Sequence, residues 1–372
     1  MVDMKKAFKY RIYPTKKQNT KLENTFELCR ELYNAAIEER TNAYELNGKS
    51  ISYSVQQNQL PEIKKVREEY KQIHSQVLQN VLDRVDKAFD AFFQRVREGK
   101  KPGYPRFKAR DRYKSITFPQ SGYEIVNGRL ALSKIGHIKM VLHRPIEGTI
   151  KTCTLKRMPT GKWFVIFVCE VMPKRLPISE EETGIDAGLK HFATMSNGET
   201  IENPRFFRQE ETQLAKAQRN LSKAPTCSKE RKEKKKVVAR VYERIANKRE
   251  NFAHQEARKI VNLYGIICIE ALKIVNMMQN EKLSKSIADA AWGIFFSCLD
   301  SKAEEAGRLL IEVKPHHTSQ DCCICHHRQE IPLSVRVYSC SNPECKMVLD
   351  RDWNAALNIL RLGLQSVGAY TH

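Results

Sequence analysis

Five cysteines are clustered near the end of the chain, and four of them have the spacing of a metal site. Cys322 and Cys325 form a Cys-x-x-Cys pair, and Cys340 and Cys345 form a second pair with four intervening residues instead of two. Paired cysteines of this kind are the usual ligands of a tetrahedral zinc ion. Cys323 is the odd thiol. The pattern predicts one zinc ion with a structural rather than a catalytic role, because four protein ligands close the site.

Two alternatives remain open for this cluster. One is that a histidine replaces a thiolate, and the nearby candidates are His316, His317, His326 and His327. The other is a redox disulfide, which the reducing interior of a cell disfavours.

Three acidic residues have the chemistry of a second metal site. Asp186 and Glu270 each lie at or just past the end of a predicted apolar strand, after Ile185 and Ile269, and sites in α/β sheets form outside the carboxyl ends of strands. Asp352 follows Cys345 by seven residues and lies beside a helix predicted from Trp353, so an N-cap role is an alternative for it. Three converging carboxylates suit two magnesium ions acting on one phosphodiester. We expect the fold to bring them together.

The charge balance points to a polyanionic partner. The chain has 372 residues, with 64 Lys and Arg against 43 Asp and Glu and a formal net charge of +21. Such an excess favours nucleic acid, with a merely solubilising surface as the alternative. No run approaches the roughly 20 apolar residues of a membrane helix, and the start lacks the apolar core of a signal peptide. We therefore expect a cytoplasmic protein without a membrane partner.

The first 114 residues predict one strand followed by helices. Residues 7–13 alternate between apolar and basic side chains, which indicates a half-buried strand that ends at Pro14. Residues 22–36 have helical spacing, and a second helix is predicted with Ser75 as its N-cap. Residues 99–108 combine Gly, Pro, cations and two aromatics and predict a loop.

The rest of the chain changes period twice. From residue 115 to 170 the period is two, which predicts a small antiparallel barrel or sandwich, and residues 173–182 indicate a linker. From residue 183 strands and helices alternate, which predicts an α/β domain. Its expected parts are strands at 192–196 and 264–269, a hairpin turn at Asn197-Gly198, and helices within 213–256 that break near Pro225. Those basic helices are either a solvated pair or a contact surface for a nucleic-acid backbone.

Seven motifs in this order resemble the TnpB family of insertion sequences, which is related to the type V CRISPR effectors. The motifs lie at residues 6–14, 29–34, 103–108, 184–189, 284–293, 318–322 and 350–356. The resemblance implies a multidomain protein of the α+β and α/β classes. A wedge-type β-barrel (1–14 and 115–175) would contain an inserted helical recognition domain (15–114). A RuvC-type, ribonuclease H-like nuclease domain (180–317 and 348–372) would contain a zinc-ribbon insertion (318–347).

The resemblance also implies an activity and site residues. The expected activity is RNA-guided cleavage of double-stranded DNA beside a short target-adjacent motif, with a guide RNA from the mobile element, two Mg²⁺ ions, one Zn²⁺ ion and a monomeric protein. Asp186, Glu270 and Asp352 match the catalytic acids, and Asp352 is preferred to Asp350 because it stands two residues before Asn354. Arg336 matches an arginine near the scissile phosphate.

Three further residues are implied in recognition of the target-adjacent motif: Tyr53, Gln79 and Asn80. The alternatives to a guided nuclease are a nuclease-inactive RNA-guided repressor, a guide-independent transposase and a zinc-ribbon transcription factor. A repressor of this family would lack one or more of the acids, whereas all three are present here.

Overall fold

The computed structural model describes residues 3–110, 112–281, 283–315, 317–332 and 335–368. The chain divides into two compact units, Met1–Met172 and Pro173–His372. The predicted linker begins at this boundary, and the division into four domains stays a prediction. Among the described residues, no helix is both long and apolar enough to cross a membrane.

The described residues of the first unit form seven strands, three α-helices and a short 3-10 helix. In chain order these are β1 (Met4–Tyr13), α1 (Lys16–Asn47), α2 (Tyr53–Val66), the 3-10 helix (Glu68–Gln72), α3 (Ser75–Arg97), β2 (Ser115–Phe118), β3 (Tyr123–Val126), β4 (Arg129–Leu132), β5 (Gly136–Val141), β6 (Thr149–Arg157) and β7 (Trp163–Val171). The predicted loop at residues 99–108 has no regular structure, as expected.

The strands of this unit form one antiparallel sheet that is nearly closed into a barrel. Their order is β2-β6-β7-β1-β5-β4-β3, so the N-terminal strand lies in the centre and completes the predicted barrel. The alternation predicted for β1 is confirmed, because Phe8, Tyr10 and Ile12 are buried. Tyr123 in β3 lies 6.3 Å, ring centroid to centroid, from Phe167 in β7, although three strands separate β3 from β7 in the sheet. The sheet therefore curls around a shared interior.

The helices of the first unit share one continuous hydrophobic core with the barrel. A capping box starts α1, in which the side chains of Thr15 and Gln18 each bond the other's backbone N–H, and Gly48 ends it with φ 62°. The prediction that Ser75 caps α3 is wrong. His74 is the N-cap and makes no side-chain cap, while the Ser75 hydroxyl accepts a hydrogen bond from Lys64 at 2.8 Å.

The second unit contains seven strands and six helices among its described residues. They are β8 (Glu182–Asp186), β9 (His191–Met195), β10 (Thr200–Glu202), α4 (Phe206–Ser222), α5 (Lys229–Leu263), β11 (Ile266–Glu270), α6 (Ile274–Met277), α7 (Ser284–Ala290), α8 (Trp292–Ala306), β12 (Leu309–Val313), β13 (Val337–Ser339), β14 (Val348–Asp350) and α9 (Arg351–Gly368). The predicted hairpin turn and the break between α4 and α5 near Pro225 are confirmed.

The main sheet of this unit has five strands in the order β10-β9-β8-β11-β12. β8 pairs antiparallel with β9 and parallel with β11, and β11 pairs parallel with β12. β8 and β11 therefore end at the same edge of the sheet. Ile267, Cys268 and Ile269 are buried, as expected for a strand that is covered on both faces.

Helix α9 lies directly against β8 and β11. A Cβ atom on Gly184 would overlap the backbone oxygen of Ala356, and one on Gly363 would overlap the sulfur of Cys268. Glycine at both positions therefore allows a closer approach of helix to sheet than any larger residue would permit. This close packing sets where the first turn of α9 lies relative to the strand ends.

Candidate active site and metal centre

Asp186 and Glu270 lie side by side at the edge of the main sheet. Ile185 in β8 is the register partner of Ile269 in β11, and each acid is the next and last residue of its strand. Because the two strands are parallel, both carboxylates emerge at the same carboxyl edge. The parallel pairing thus brings together two residues that are 84 positions apart in the sequence.

Asp352 is brought to the same edge by the first turn of α9. Asp350, not Asp352, caps this helix, because its Oδ1 accepts hydrogen bonds from the backbone N–H groups of Asp352 (2.9 Å) and Trp353 (3.2 Å). The indole of Trp353 donates to the carbonyl of Ser196 at 2.8 Å and anchors the turn beside the end of β9. The capping alternative for Asp352 therefore belongs to Asp350, and the Asp352 carboxylate is left for another role.

Asp186 is affected by the charges of the other two acids. Burial, followed by the charges of Asp352 and Glu270, raises the pKa of Asp186 to about 8. Burial also raises the pKa of Glu270, while a hydrogen bond from Thr318 acts in the opposite direction. Carboxylate oxygens are the donors that Mg²⁺ prefers, so the chemistry of these side chains suits the predicted ions. Among the described residues, however, the three acids do not form a group whose ligand atoms all lie within 4.8 Å of one another, and the ion pair stays a prediction.

Two arginines lie near the acids and have different surroundings. The guanidinium of Arg336 is 3.9 Å from the Asp352 carboxylate, and its side chain is 55% exposed. Arg351 is buried, donates to the carbonyl of Pro332 at 2.9 Å, and lowers the pKa of Asp186 by its charge. The Arg336 guanidinium is therefore exposed beside Asp352. Arg351 is held by backbone carbonyls, which indicates a structural role that the sequence did not reveal.

The four cysteines of the predicted zinc site converge. The sulfur atoms of Cys322, Cys325, Cys340 and Cys345 all lie within 4.8 Å of one another. The sulfurs of Cys322 and Cys345 are 3.7 Å apart, and those of Cys325 and Cys340 are 3.6 Å apart. A tetrahedral site with Zn–S bonds of about 2.3 Å requires S···S distances of about 3.8 Å, whereas a disulfide requires about 2.0 Å. The geometry fits a zinc ion and excludes the disulfide alternative in this structure.

Backbone hydrogen bonds form the turn of the wider second pair, and Lys346, which follows Cys345, has a positive φ of 48°. Backbone N–H groups of Cys345 and Lys346 donate to the carbonyl of Asn342, at 3.0 and 3.1 Å, and form the turn between the two ligands. In the first pair, the backbone N–H of His327 donates to Cys325, which lowers the pKa of that thiol to about 6. Burial instead raises the pKa of Cys340 to about 12, so in the absence of metal the thiols of the cluster differ in how readily they ionise.

Four other candidate ligands that the structure describes lie outside the four-sulfur group. Among the described residues, Cys323, His317, His326 and His327 are not members of it, and His316 lies outside the described residues. Cys323 instead uses its backbone N–H, which donates to the side-chain oxygen of Asn354 at 2.9 Å.

The cysteine-containing segment is bound to α9 by residues that sequence reasoning missed. Asn354 and Asn358 are fully buried, and their side chains bond backbone groups of the segment from Thr318 to Cys323. The sequence did contain a signal for this contact, because two asparagines four residues apart lie on the apolar face of the predicted helix. Buried amides of this kind are stable only when they are hydrogen-bonded.

The residues implied in target-motif recognition lie in the first unit, on α2 and α3. Tyr53 is the first residue of α2, and its pKa is raised by burial and then by the charge of Asp83. Asn80 accepts a hydrogen bond from Arg84 at 3.0 Å and donates to Asp83 at 3.4 Å, while Gln79 is half-buried. Tyr53 and Asn80 therefore share a polar environment around Asp83.

Family models match three parts of the chain. Residues 166–281 match a model described as "Probable transposase", and residues 292–359 match one described as "Cas12f1-like, TNB domain". Residues 1–49 match a model described as "Helix-turn-helix domain". In the structure, residues 4–47 form β1 and the single helix α1, with no turn inside the helix.

Relatives cover almost the whole chain. A "Putative RNA-guided DNA endonuclease" from Streptomyces pristinaespiralis is 37% identical over 98% of this chain and 90% of the relative. A protein described as "Putative RNA-guided DNA endonuclease InsQ" from Escherichia coli K12 is 28% identical over 96% of this chain and 92% of the relative. The protein in a cryo-EM structure of a Cas12f1–sgRNA–target DNA complex shares the fold, with a TM-score of 0.60 and 14% identity over 96% of this chain and 98% of that chain. The chain belongs to the TnpB family.

Proposed function

We propose that this protein is an RNA-guided endonuclease that cleaves double-stranded DNA by metal-dependent phosphodiester hydrolysis. The observation that carries the proposal is the convergence of Asp186, Glu270 and Asp352 at the ends of two parallel strands and one helix. The names of the relatives support RNA-guided DNA cleavage as the activity. All three acids are present, which disfavours a nuclease-inactive repressor.

The three acids would supply the carboxylate oxygens that hold two Mg²⁺ ions. When bound, such an ion pair provides a hydroxide nucleophile and neutralises the leaving oxygen. By fixing the positions of the ions, the carboxylates would align the attacking oxygen and the leaving oxygen on opposite sides of the phosphorus atom. Arg336 would donate hydrogen bonds to a non-bridging phosphate oxygen, because its exposed guanidinium is only 3.9 Å from Asp352. The buried Arg351 would limit the repulsion within the acid cluster.

The cysteine segment would act as a scaffold for this site. A zinc ion held by Cys322, Cys325, Cys340 and Cys345 would contribute folding energy to a segment that has only two short strands, β13 and β14, among its described residues. The "Cas12f1-like, TNB domain" match to residues 292–359 supports this assignment.

The assignment of domains follows the same proposal. The barrel would be the wedge domain (1–14 and 115–175), the helices of the first unit the recognition domain (15–114), and the second unit the RuvC-type domain (180–317 and 348–372) with its zinc ribbon (318–347). Guide RNA pairing would supply sequence specificity, while the excess of 21 positive charges would bind the nucleic-acid backbones. Tyr53, Gln79 and Asn80 would contact the motif beside the target. We further propose a monomer that acts in the cytoplasm.

The test is a comparison of cutting and binding in Asp186→Ala. Protein stripped of nucleic acid is supplied with element-derived RNA, Mg²⁺ and a matching DNA duplex. Asp186→Ala should lose cutting and keep RNA-dependent DNA binding, whereas the control Asp300→Ala, which changes an exposed acid on α8, should cut like the wild type. Cutting of element ends without RNA would favour a guide-independent transposase. Guided DNA binding without cutting by the wild-type protein would favour the repressor.

A further inference from the structure

Thr318 contacts one of the three acids from the beginning of the cysteine segment. Its hydroxyl donates a hydrogen bond to Oε1 of Glu270 at 3.1 Å, and the residue is only 6% exposed. Glu270 ends β11, but its carboxylate is carried on a flexible side chain with several rotatable bonds. A hydrogen bond to one carboxylate oxygen restricts that rotation and leaves the other oxygen available to a cation.

Thr318 is itself held by α9, the helix that carries Asp352. The side-chain amide of Asn358 donates to the carbonyl of Thr318 at 2.9 Å and to the carbonyl of Asp321 at 2.7 Å. Asn354 also donates to the carbonyl of Asp321, at 2.9 Å. The buried amides of Asn354 and Asn358 therefore connect three features. These are the Thr318 hydroxyl that contacts Glu270, the helix that carries Asp352, and the segment that leads into the first cysteine pair.

The network extends directly to the predicted zinc ligands. The side-chain oxygen of Asn354 accepts the backbone N–H of Cys323, which stands between Cys322 and Cys325. The backbone N–H of Cys322 donates to the carbonyl of His327 at 2.9 Å, which closes the loop of the first pair. Only three residues separate Thr318 from Cys322. Residues 318, 321 and 323 are hydrogen-bonded to α9, so the position of Thr318 depends on how the cysteine segment packs against that helix.

We propose that Thr318 is a positioning residue for Glu270, and that the cysteine segment holds it in place through Asn354 and Asn358. The inference rests on the proposed function, because it concerns the divalent-ion site of the nuclease. Mg²⁺ demands nearly ideal octahedral geometry, so an acid whose orientation is free binds it less well. Groups that orient metal ligands typically change metal affinity or activity by about 10- to 100-fold when they are removed.

The test compares Thr318→Val with Thr318→Ser. Valine keeps the shape of threonine and removes the hydroxyl, whereas serine keeps the hydroxyl. We expect Thr318→Val to raise the Mg²⁺ concentration for half-maximal cutting about tenfold and to weaken Mn²⁺ binding, measured by electron paramagnetic resonance without DNA, to a similar degree. Thr318→Ser should recover most of both losses. Equal Mg²⁺ and Mn²⁺ responses in Thr318→Val and the wild type would overturn the proposal.

Controls separate this inference from its alternatives. Thr200→Val makes the same chemical change at an exposed position of β10 and should leave both readouts unchanged. Zinc content, measured by mass spectrometry, should be equal in all variants. If Thr318→Val loses zinc, Thr318→Ala replaces it in the comparison. A wild-type protein that neither binds Mn²⁺ nor cuts DNA would contradict the proposed function itself, whereas normal wild-type behaviour with an unaffected Thr318→Val would contradict only the positioning role.

Discussion

Replacing Asp186 with asparagine should stabilise the protein when magnesium is absent. In the folded chain, burial and the charges of Asp352 and Glu270 raise the pKa of Asp186 to about 8 from an ordinary value of 3.8. The folded state therefore holds a proton that the unfolded state releases, and wild-type stability must fall as pH rises from about 4 to about 8. Below that window both states are protonated, and above it the full penalty is present. The asparagine side chain would carry no charge and no such penalty.

The size of the effect follows from the pKa difference. One pKa unit corresponds to about 1.4 kcal/mol. At neutral pH the ionised Asp186 therefore lowers the free energy of unfolding by at most about 4 kcal/mol. Asp186 keeps some contact with solvent, which screens the repulsion. We therefore expect Asp186→Asn to raise the free energy of unfolding by about 2 kcal/mol. For a unit of this length that corresponds to a rise in melting temperature of about 4 to 8 °C.

Scanning calorimetry between about pH 4 and pH 8 measures this prediction. The melting temperatures of Asp186→Asn and the wild type should converge at the acidic end and separate as pH rises, in magnesium-free buffer and with equal zinc content. Adding Mg²⁺ should stabilise the wild type more than the variant, because the ions offset the repulsion. The exposed-site control Asp300→Asn should stay within about 1 °C of the wild type. A variant less stable than the wild type at the alkaline end would refute the electrostatic reasoning.

Three further predictions concern other parts of the second unit. Cys325→Ser should lose bound zinc and DNA cutting together, measured by mass spectrometry and a cleavage assay, and retention of zinc would contradict the four-thiolate site. Arg336→Ala should lower the cutting rate about 100-fold, while its melting temperature stays within about 1 °C because the exposed ion pair contributes little stability; Arg336→Lys should recover only part of the rate. Gly184→Ala should destabilise the protein by about 3 kcal/mol in denaturant unfolding, because its Cβ would overlap the Ala356 backbone. A melting curve unchanged by that alanine would mean that α9 can move away from β8.

Local patterns in the sequence predicted about half of the strands and the individual residues of each site. Alternation identified β1, the apolar run identified β11, and the Asn197-Gly198 dipeptide identified the turn after β9. These features depend on residues that are close in the sequence, so the sequence alone was sufficient to predict them. Cysteine spacing likewise predicted the four-sulfur cluster, because two short loops present the ligands.

The convergence of the acids could not be predicted from local pattern alone. It depends on the parallel register of β8 and β11 and on the close packing of α9 against Gly184, both of which join distant parts of the chain. The contacts of Asn354, Asn358 and Thr318 were missed for the same reason, since their hydrogen-bond partners are groups that only the fold brings near. The Ser75 cap failed because serine is favoured at N-caps on average, while here the chain turns into α3 one residue earlier.

The most direct test of the account is the location of divalent cations in the protein bound to guide RNA and target DNA. Crystals or frozen grids prepared with Mn²⁺ in place of Mg²⁺, and with a non-cleavable phosphodiester, would show the ions by anomalous scattering or density. We predict two ions coordinated by Asp186, Glu270 and Asp352, with oxygen–metal distances of about 2.1 Å, on either side of the scissile phosphate. A scissile phosphate bound elsewhere, or acids that contact no ion, would contradict the central claim.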